Sequence, residues 1–162
     1  VVENLLSVTR IQGDSLSINT TEEPVEEVVG EALEKLKKRY PDAAIRVKIP
    51  EEFLMIPMDA VLIEQVTINL LENAIQASVK TAPTRRKINV EVYPHHNHLL
   101  LIHVENTFDG KIQQKNNIFQ SSKRSGNGIG IESVRHITDK NGGICDFTYK
   151  DGIFSAKIML RI

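Results

Sequence analysis

The sequence predicts a protein of the α+β class, folded as a layer sandwich. Helical and strand-like patterns are mixed in the first half of the chain, and antiparallel hairpins dominate the second half. A doubly wound parallel sheet would need strands and helices to alternate throughout. We therefore expect a two-layer α/β sandwich, in which a mixed, mostly antiparallel sheet packs on three helices.

The chain opens with a helical pattern. Residues 1–10 place apolar side chains at helical spacing, and Gly13 ends that pattern. Because the chain begins within this pattern and without an initiator methionine, we expect a fragment of a longer protein. Residues 16–19 alternate apolar and polar side chains, as a short strand does.

The second helix is predicted from the residues that precede it. Thr21 and two glutamates stand before Pro24, an order typical of a helix N-terminus. The helix expected over residues 24–39 has one apolar face. Strands are expected over residues 44–49 and 53–56.

The third helix has the strongest pattern. Asp59 suits the N-cap position, and the helix should run to about Lys80, before Pro83. Its predicted core stripe consists of Val61, Leu62, Val66, Leu70, Ala74 and Ile75. The later elements are, in order, a hairpin over 87–93 and 98–105, a polar segment over 106–127, a helix over 129–140, and a hairpin over 144–149 and 154–162 around Asp151-Gly152.

Size and composition indicate one soluble domain. The 162 residues suffice for one substantial core and are too few for two comfortable domains. The net charge of −1 gives no basic signature, so no nucleic-acid partner is expected. No apolar stretch is as long as a membrane span, and we expect no membrane contact by this chain. The single cysteine, Cys145, favours a reducing compartment and a buried, inert thiol.

Two asparagines interrupt the apolar pattern of the third helix. Asn69 and Asn73 lie four residues apart and share a face, and Gln65 extends the same polar line. A solvated edge of an amphipathic helix would also explain this line. Asn is a mediocre helix former, however, and its carbonyl oxygen suits Mg²⁺, which also takes oxygens from nucleotide phosphates.

A glycine cluster, Gly126-Asn-Gly-Ile-Gly130, precedes the helix over 129–140. It follows no strand, unlike a dinucleotide-binding fingerprint, and it lacks the Gly-Lys-Ser/Thr ending of a P-loop. A flexible loop is its ordinary explanation. Because it closes a long polar segment and opens a helix, it also suits a mobile lid that clamps phosphate, with charge from Lys123 and Arg124. Together with the two asparagines, the cluster predicts a Mg²⁺–nucleotide site.

In their order and spacing, these motifs resemble those of the catalytic ATP-binding domain of sensor histidine kinases, within the Bergerat-fold (GHKL) ATPases. The motifs are Asn69-Leu-Leu-Glu-Asn73-Ala, the glycine cluster and Gly152-Ile-Phe154. The resemblance covers residues 16–162. The stretches beginning at Pro24 and Met58 are most similar to the Kdp-type potassium sensor kinase, whereas the second half is closer to the quorum-sensing peptide kinases.

The resemblance implies a role for each motif residue. Asn73 would bind Mg²⁺, Asn69 would lie beside it near the phosphates, and these two would be the catalytic residues. The lid would span about residues 107–127. The cofactor-binding residues would be Asn106, Gly110, Lys123, Gly126, Asn127, Gly128, Ile129 and Gly130.

The chain departs from the family pattern at three positions. The adenine-reading DxGxG box aligns with residues 106–110, where the aspartate is Asn106 and the first glycine is Phe108. An Asn carbonyl accepts a hydrogen bond from the adenine amino group without the charge of aspartate. The lysine often found three residues after the second asparagine is Gln76. Without the other motifs, Asn106 would be interpreted as a strand-ending turn residue.

The family's phosphate-accepting histidine lies on a separate, dimerising helical hairpin. Residues 1–13 would be the tail of that hairpin, and residues 14–162 the catalytic domain. None of the five histidines precedes the ATPase region in a helix; we expect a hairpin turn for His95, His96 and His98, and a surface or interface for His103 and His136.

The resemblance also implies cofactors, partners and a location. The cofactors would be ATP and Mg²⁺, and the partners would be the parent's dimerisation domain and a response regulator. The location would be the cytoplasmic part of a bacterial membrane sensor. Two alternatives stay open: a degenerate module that regulates a partner kinase without catalysis, and a serine kinase of the anti-sigma kind.

Overall fold

The computed structural model describes residues 18–96, 99–111, 114–115, 118–119 and 129–161. Three α-helices are present in these ranges: α1 (Val25–Arg39), α2 (Ala60–Ser78) and α3 (Ile129–Lys140). The strands are β1 (Thr21–Pro24), β2 (Ile45–Lys48), β3 (Met55–Met58), β4 (Ile88–His95), β5 (Leu99–Thr107), β6 (Gln114–Lys115), β7 (Ile118–Phe119), β8 (Ile144–Lys150) and β9 (Ile153–Arg161).

One five-stranded sheet organises the fold, in the order β2-β4-β5-β9-β8. Strand β2 pairs with β4 in parallel, and the other three pairs are antiparallel. Two small antiparallel pairs, β1 with β3 and β6 with β7, stand apart from it. The mixed, mostly antiparallel sheet on three helices confirms the predicted fold class.

The core lies between this sheet and the helices. Side chains alternate across β5, so that Leu100, Ile102 and Val104 are buried against the helix layer while His103 and Glu105 lie on the opposite face. Helices α1 and α3 flank α2, which packs over β5. This arrangement makes α2 the central helix of the layer.

Helix α2 begins where the sequence predicts. The Oδ1 of Asp59 accepts a hydrogen bond from the backbone N–H of Leu62, which satisfies one of the free donors of the first turn. Five of the six residues of the predicted core stripe are buried or half-buried, but Val61 is 67% exposed, so that assignment was wrong. The buried face of α2 is centred instead on Ile63, Val66, Thr67, Leu70, Leu71 and Ala74.

Helix α1 is joined to α2 by two ion pairs along their length. Lys35 pairs with Glu64, and Arg39 pairs with Glu72. Both carboxylates are largely buried beside longer, more exposed cations, so the pairs hold the two helices in register.

The first segment differs from expectation. Residues 1–17, and with them the predicted initial helix, lie outside the described residues. Ile18 and Asn19 are not in a strand, and the strand begins at Thr21 because residues 21–24 pair with β3. Thr21 is therefore not a helix cap, and Pro24 occupies the N-cap position of α1 without a side-chain cap hydrogen bond. Long-range pairing has overridden the local capping signal.

No helix within the described ranges is long and apolar enough to span a membrane.

Candidate functional site

The polar line of α2 is half-buried along its length. Gln65, Asn69 and Asn73 are all intermediate in exposure. The Nε2 of Gln65 donates a hydrogen bond of 3.0 Å to the Oδ1 of Asn69. The amide of Asn73 has no hydrogen-bond partner within the described ranges. A half-buried amide without a partner is available to a ligand.

Helix α3 is fixed relative to these asparagines by a contact at the start of α2. The side-chain oxygen of Asn141, just after α3, accepts a hydrogen bond of 3.2 Å from the backbone N–H of Asp59. Since α3 packs along α2 and has 12 residues, it extends about 18 Å back from this contact. Its N-terminal end therefore lies at the level of Asn69 and Asn73.

The first two residues of α3 are Ile129 and Gly130, which belong to the predicted glycine cluster. The N-terminus of a helix carries free N–H groups and a partial positive charge, which favour a phosphate. The structure thus brings the start of α3 toward the asparagines of α2. Four of the predicted cofactor-binding residues, Lys123, Gly126, Asn127 and Gly128, lie outside the described residues.

Asn106 is a buried polar residue on the helix-facing side of the sheet. It is 4% exposed, and it lies in β5 opposite Ile88 of β4 and Phe154 of β9. Its Nδ2 donates a hydrogen bond of 3.0 Å to the carbonyl of Thr107. The Oδ1 has no hydrogen-bond partner in the described part of the chain and remains an acceptor. Asn106 is therefore part of the strand rather than a turn residue beyond it.

Two neighbours of Asn106 complete this end of the sheet. The backbone N–H of Phe108 donates to the carbonyl of Gly152, which extends the pairing of β5 with β9 by one residue. Gly110 has a φ of 80°, a conformation that favours glycine, and it is exposed. Gly110 thus turns the chain after the end of β5, toward the segment that follows.

The amide groups have the chemistry for a magnesium ion that is shared with a nucleotide. Mg²⁺ prefers oxygen ligands, keeps several waters and is often bound through one or two protein groups plus phosphate oxygens. The carbonyl oxygen of Asn73 fits that requirement. Among the described residues, no group of three or more His, Cys, Asp or Glu side chains could hold a metal by itself.

The other residues singled out from the sequence lie away from the site or make no hydrogen bond with it within the described ranges. Gln76 is half-buried on α2, one turn beyond Asn73. His95 ends β4 and His96 is in the turn, while His98 lies outside the described residues. His103 faces away from the helices, and its Nε2 lies 2.7 Å from the hydroxyl of Ser155.

Two features of the site were missed by the sequence reasoning. The contact of Asn141 with Asp59 is not visible in the sequence, although an Asn between a helix and Gly142-Gly143 is typical of a capping position. The aromatic neighbour of Asn106 on the adjacent strand β9, Phe154, comes from a part of the chain that is distant in sequence.

A cavity of 470 Å³ opens on the other side of α2. It lies between the C-terminal ends of α1 and α2 and the start of β4, and is lined by Tyr40, Ile75, Val79 and Arg86, among others. Since Ile75 and Asn73 project from different faces of the helix, this cavity is separate from the asparagine site.

Comparison with known proteins agrees with this geometry. The family described as "GHKL domain" matches residues 58–161. The sensor protein KdpD of Clostridium acetobutylicum is 33% identical over 154 residues, and the match covers 88% of this chain. The chain spans only 16% of the length of that relative. The similarity to KdpD thus extends well beyond the first half of the chain.

Two solved structures share the fold. Histidine kinase AdeS of Acinetobacter baumannii superposes with a TM-score of 0.74 at 19% identity, covering 99% of this chain and 76% of that one. The catalytic domain of histidine kinase ThkA gives a TM-score of 0.70 at 22% identity, covering 88% of this chain and 95% of that one.

The family resemblance noted from the sequence is confirmed, and family membership implies that the chain binds ATP. The asparagines of α2, the end of β5 and the start of α3 are arranged as described above. This chain belongs to the GHKL domain family and has the fold of the catalytic domains of sensor histidine kinases.

Proposed function

We propose that this chain is the ATP-binding catalytic domain of a two-component sensor histidine kinase, and that it supplies the γ-phosphate of ATP to a histidine on a separate domain. The observation that carries the proposal is the amide of Asn73. It is half-buried, has no partner among the described residues, and lies at the level of the N-terminal end of α3 in a chain of the GHKL family.

The nucleotide would occupy the space between α2, the start of α3 and the end of β5. The Oδ1 of Asn106 would accept a hydrogen bond from the adenine amino group, since its Nδ2 is already used on Thr107. Gly110 would let the chain turn beside the adenine base. These assignments rest on the burial of Asn106 and on its Oδ1, which has no hydrogen-bond partner among the described residues.

The phosphates would lie farther along α2. Asn69, oriented by Gln65, would contact phosphate oxygens, and the backbone at Ile129 and Gly130 would place the positive end of α3 toward them. In our proposal Lys123, Gly126, Asn127 and Gly128 also bind phosphate as part of a lid over about residues 107–127. Residues 14–162 would form the catalytic domain, and residues 1–13 the end of the preceding helix.

Asn73 would hold Mg²⁺ together with phosphate oxygens and water. When bound, the ion supplies neutralisation of charge on the β- and γ-phosphates. The residues of this chain would contribute by positioning the triphosphate, because phosphoryl transfer needs little covalent help from the protein. The bond from the γ-phosphorus to the bridging oxygen of ADP breaks, and a bond from that phosphorus to a histidine nitrogen forms.

The partners in this reaction would be the dimerisation domain of the parent protein, which carries the histidine, and a response regulator that receives the phosphate on an aspartate. The chain would lie in the cytoplasmic part of a membrane-bound bacterial sensor. These statements extend the family assignment to the longer protein.

Isothermal titration with a non-hydrolysable ATP analogue tests the proposal. We expect saturable binding that Mg²⁺ strengthens. Adding the separate histidine-bearing domain and labelled ATP should give an acid-labile phosphohistidine on that domain. No saturable heat at millimolar nucleotide would contradict nucleotide binding, and binding without phosphotransfer would contradict the kinase role.

A further inference from the structure

Asp59 joins three segments of the chain. It directly follows β3 and is the N-cap of α2, where its Oδ1 accepts a hydrogen bond from the N–H of Leu62. Its Oδ2 accepts a hydrogen bond of 3.0 Å from the backbone N–H of Asn19, in the segment that leads into β1. Its own backbone N–H donates to the Oδ1 of Asn141, just after α3. We call Asn19, Asp59 and Asn141 the junction.

The side chain of Asn141 is oriented for this contact by α3 itself. Its Nδ2 donates a hydrogen bond of 2.9 Å to the carbonyl of Ile137, one turn earlier. That carbonyl already accepts a hydrogen bond from the backbone N–H of Asn141, so the side chain is not needed to satisfy the end of the helix. Because the donor end of the amide is held in this way, the acceptor end faces Asp59.

The C-terminal end of α3 is anchored, and the junction gives that anchor its direction. A Cβ at Gly143 would lie 2.5 Å from the backbone oxygen of Met159, so the chain after α3 runs closely along β9. Val134 and Ile137 are fully buried in the core. Apolar packing is not directional and sets mainly the separation of α3 from its neighbours. A hydrogen bond requires a defined distance and angle, so the junction sets the register of α3 along α2.

The anchored end of α3 lies far from the end that faces the site. A helix of 12 residues is about 18 Å long, so a tilt of about 5° around the anchored end moves the start of α3 by about 1.5 Å. A misplacement of about 1 Å can cost on the order of 100-fold in rate when groups must be positioned for reaction. Small changes at the junction are therefore large enough to matter at Ile129 and Gly130.

We propose that Asp59 and Asn141 are positioning residues for the nucleotide site, because their contact brings the start of α3 to the asparagines of α2. Asp59 precedes Asn69 by ten helical residues, or about 15 Å, so the pair acts through α3 and not by contact with the nucleotide. Since the carboxylate of Asp59 also holds Asn19, the position of α3 is linked to the segment that leads into the domain. This inference rests on the proposed function, since it concerns the same site.

Two substitutions of Asn141 test its acceptor end, because leucine and aspartate have the same branching as asparagine. Asn141→Leu removes both side-chain hydrogen bonds, whereas Asn141→Asp loses the bond to Ile137 and keeps an acceptor for the N–H of Asp59. The full chain is titrated with a non-hydrolysable ATP analogue and Mg²⁺. Asn141→Leu should bind about 3- to 10-fold more weakly, and Asn141→Asp should stay within about twofold of the unmodified chain.

Asn89 supplies the matched controls. It is also half-buried, but it lies on the face of the sheet away from the helices. Asn89→Leu and Asn89→Asp should therefore bind the analogue as the unmodified chain does.

The amide resonance of Asn19 gives a second readout, in nuclear magnetic resonance spectra of the full chain. Saturation with the analogue and Mg²⁺ should shift this resonance, although Asn19 is bonded at the opposite end of α2 from the asparagines. Asp59→Asn keeps an oxygen for Leu62 but replaces the acceptor of the Asn19 N–H with a donor, so the shift should be lost. This readout needs no variant of Asn141, so it tests the junction even if Asn141→Leu does not fold.

The outcomes are distinguishable. If the unmodified chain does not bind the analogue, the proposed function fails and the inference with it. If the chain binds and the two variants of Asn141 keep their affinity, or lose it equally, the contact with Asp59 does not position α3 and only the inference is wrong. An Asn19 resonance that does not respond in the saturated, unmodified chain also overturns the inference, while nucleotide binding stands. Weaker binding confined to Asn141→Leu, with a shift that Asp59→Asn abolishes, supports it.

Discussion

The Nε2 of Gln65 donates a hydrogen bond to the Oδ1 of Asn69, one turn along the same helix. This contact engages the carbonyl of Asn69, so that its Nδ2 group is the end that our proposal assigns to a phosphate oxygen. Asn73, one turn farther, keeps its carbonyl for a cation. In our proposal, this single neighbour gives two identical side chains complementary roles, Asn69 toward phosphate and Asn73 toward Mg²⁺.

Removing this neighbour should weaken nucleotide binding without unfolding the protein. Gln65→Met keeps the length of the side chain but removes the donor, so the Asn69 amide loses its fixed orientation. We expect about 2- to 10-fold weaker binding of a non-hydrolysable ATP analogue, measured by calorimetry. Unchanged affinity would mean that the Gln65 contact does not orient Asn69 for the ligand.

Asn73→Ala should remove the metal-dependent part of nucleotide affinity. We expect a loss on the order of tenfold with Mg²⁺ present, equivalent to about 1.4 kcal/mol, and little difference from the unmodified chain in EDTA. The matched control is Asn89→Ala, because Asn89 is also half-buried but lies opposite Glu105 on the face of the sheet away from the helices. Equal losses with and without Mg²⁺ would argue against a metal ligand at Asn73.

Two glycines should respond to alanine in opposite directions. A Cβ at Gly143 would lie 2.5 Å from the backbone oxygen of Met159 and 3.0 Å from side-chain atoms of Thr138 and Leu160. Gly143→Ala should therefore lower the free energy of unfolding by about 1–3 kcal/mol, measured by urea denaturation.

Gly30 provides the contrast. A Cβ there would have no atom within 4 Å outside its own helix, and the residue lies within α1. Gly30→Ala should raise the free energy of unfolding by about 0.5–1 kcal/mol. If both variants destabilise the protein equally, the close approach at Gly143 is not the cause.

His103 should make stability depend on pH. Desolvation by burial lowers its pKa below 6.5, although the nearby Glu105 and Glu91 act to raise it and Lys157 acts to lower it further. Because desolvation lowers the pKa of His103, its contact of 3.3 Å with Glu105 involves an uncharged imidazole at neutral pH and is not a salt bridge there.

The lowered pKa of His103 determines the direction in which stability changes with pH. The unfolded chain binds the proton more readily than the native one, so this contribution to stability is fully present above pH 6.5 and is lost as the pH falls through the folded pKa. His103→Gln should flatten the dependence of the unfolding free energy on pH between about 5 and 7. The control variant His136→Gln, on α3, should leave that dependence unchanged. A slope that is the same in both variants would exclude His103 as its source.

Elements with strong local signals were predictable from the sequence. The cap at Asp59 and the turn at Asp151-Gly152, where both residues have positive φ, are set by side chains within a few residues. The pairing of residues 21–24 with β3 was not predictable, because its partner lies more than thirty residues away. The exposure of Val61 depends likewise on where α1 packs and not on the periodicity of α2.

The candidate site likewise has features that local sequence predicts and features that only the packing of distant strands determines. That Asn69 and Asn73 share a helix face follows from their spacing, and the structure agrees. The placement of Phe108 against Tyr149 depends on the register of β5, β9 and β8, which no local pattern encodes. Sequence reasoning could treat Phe108 only as a departure from a motif.

The two outer strands of the five-stranded sheet bear on how the isolated chain will behave in solution. Strand β2 has four residues and exposes Arg46 and Lys48, while β8 exposes Asp146 and Lys150. Edge strands that carry exposed charged side chains resist the addition of a strand from another molecule. Self-association through these edge strands should therefore not compete with ligand at the high protein concentrations that calorimetry and magnetic resonance require.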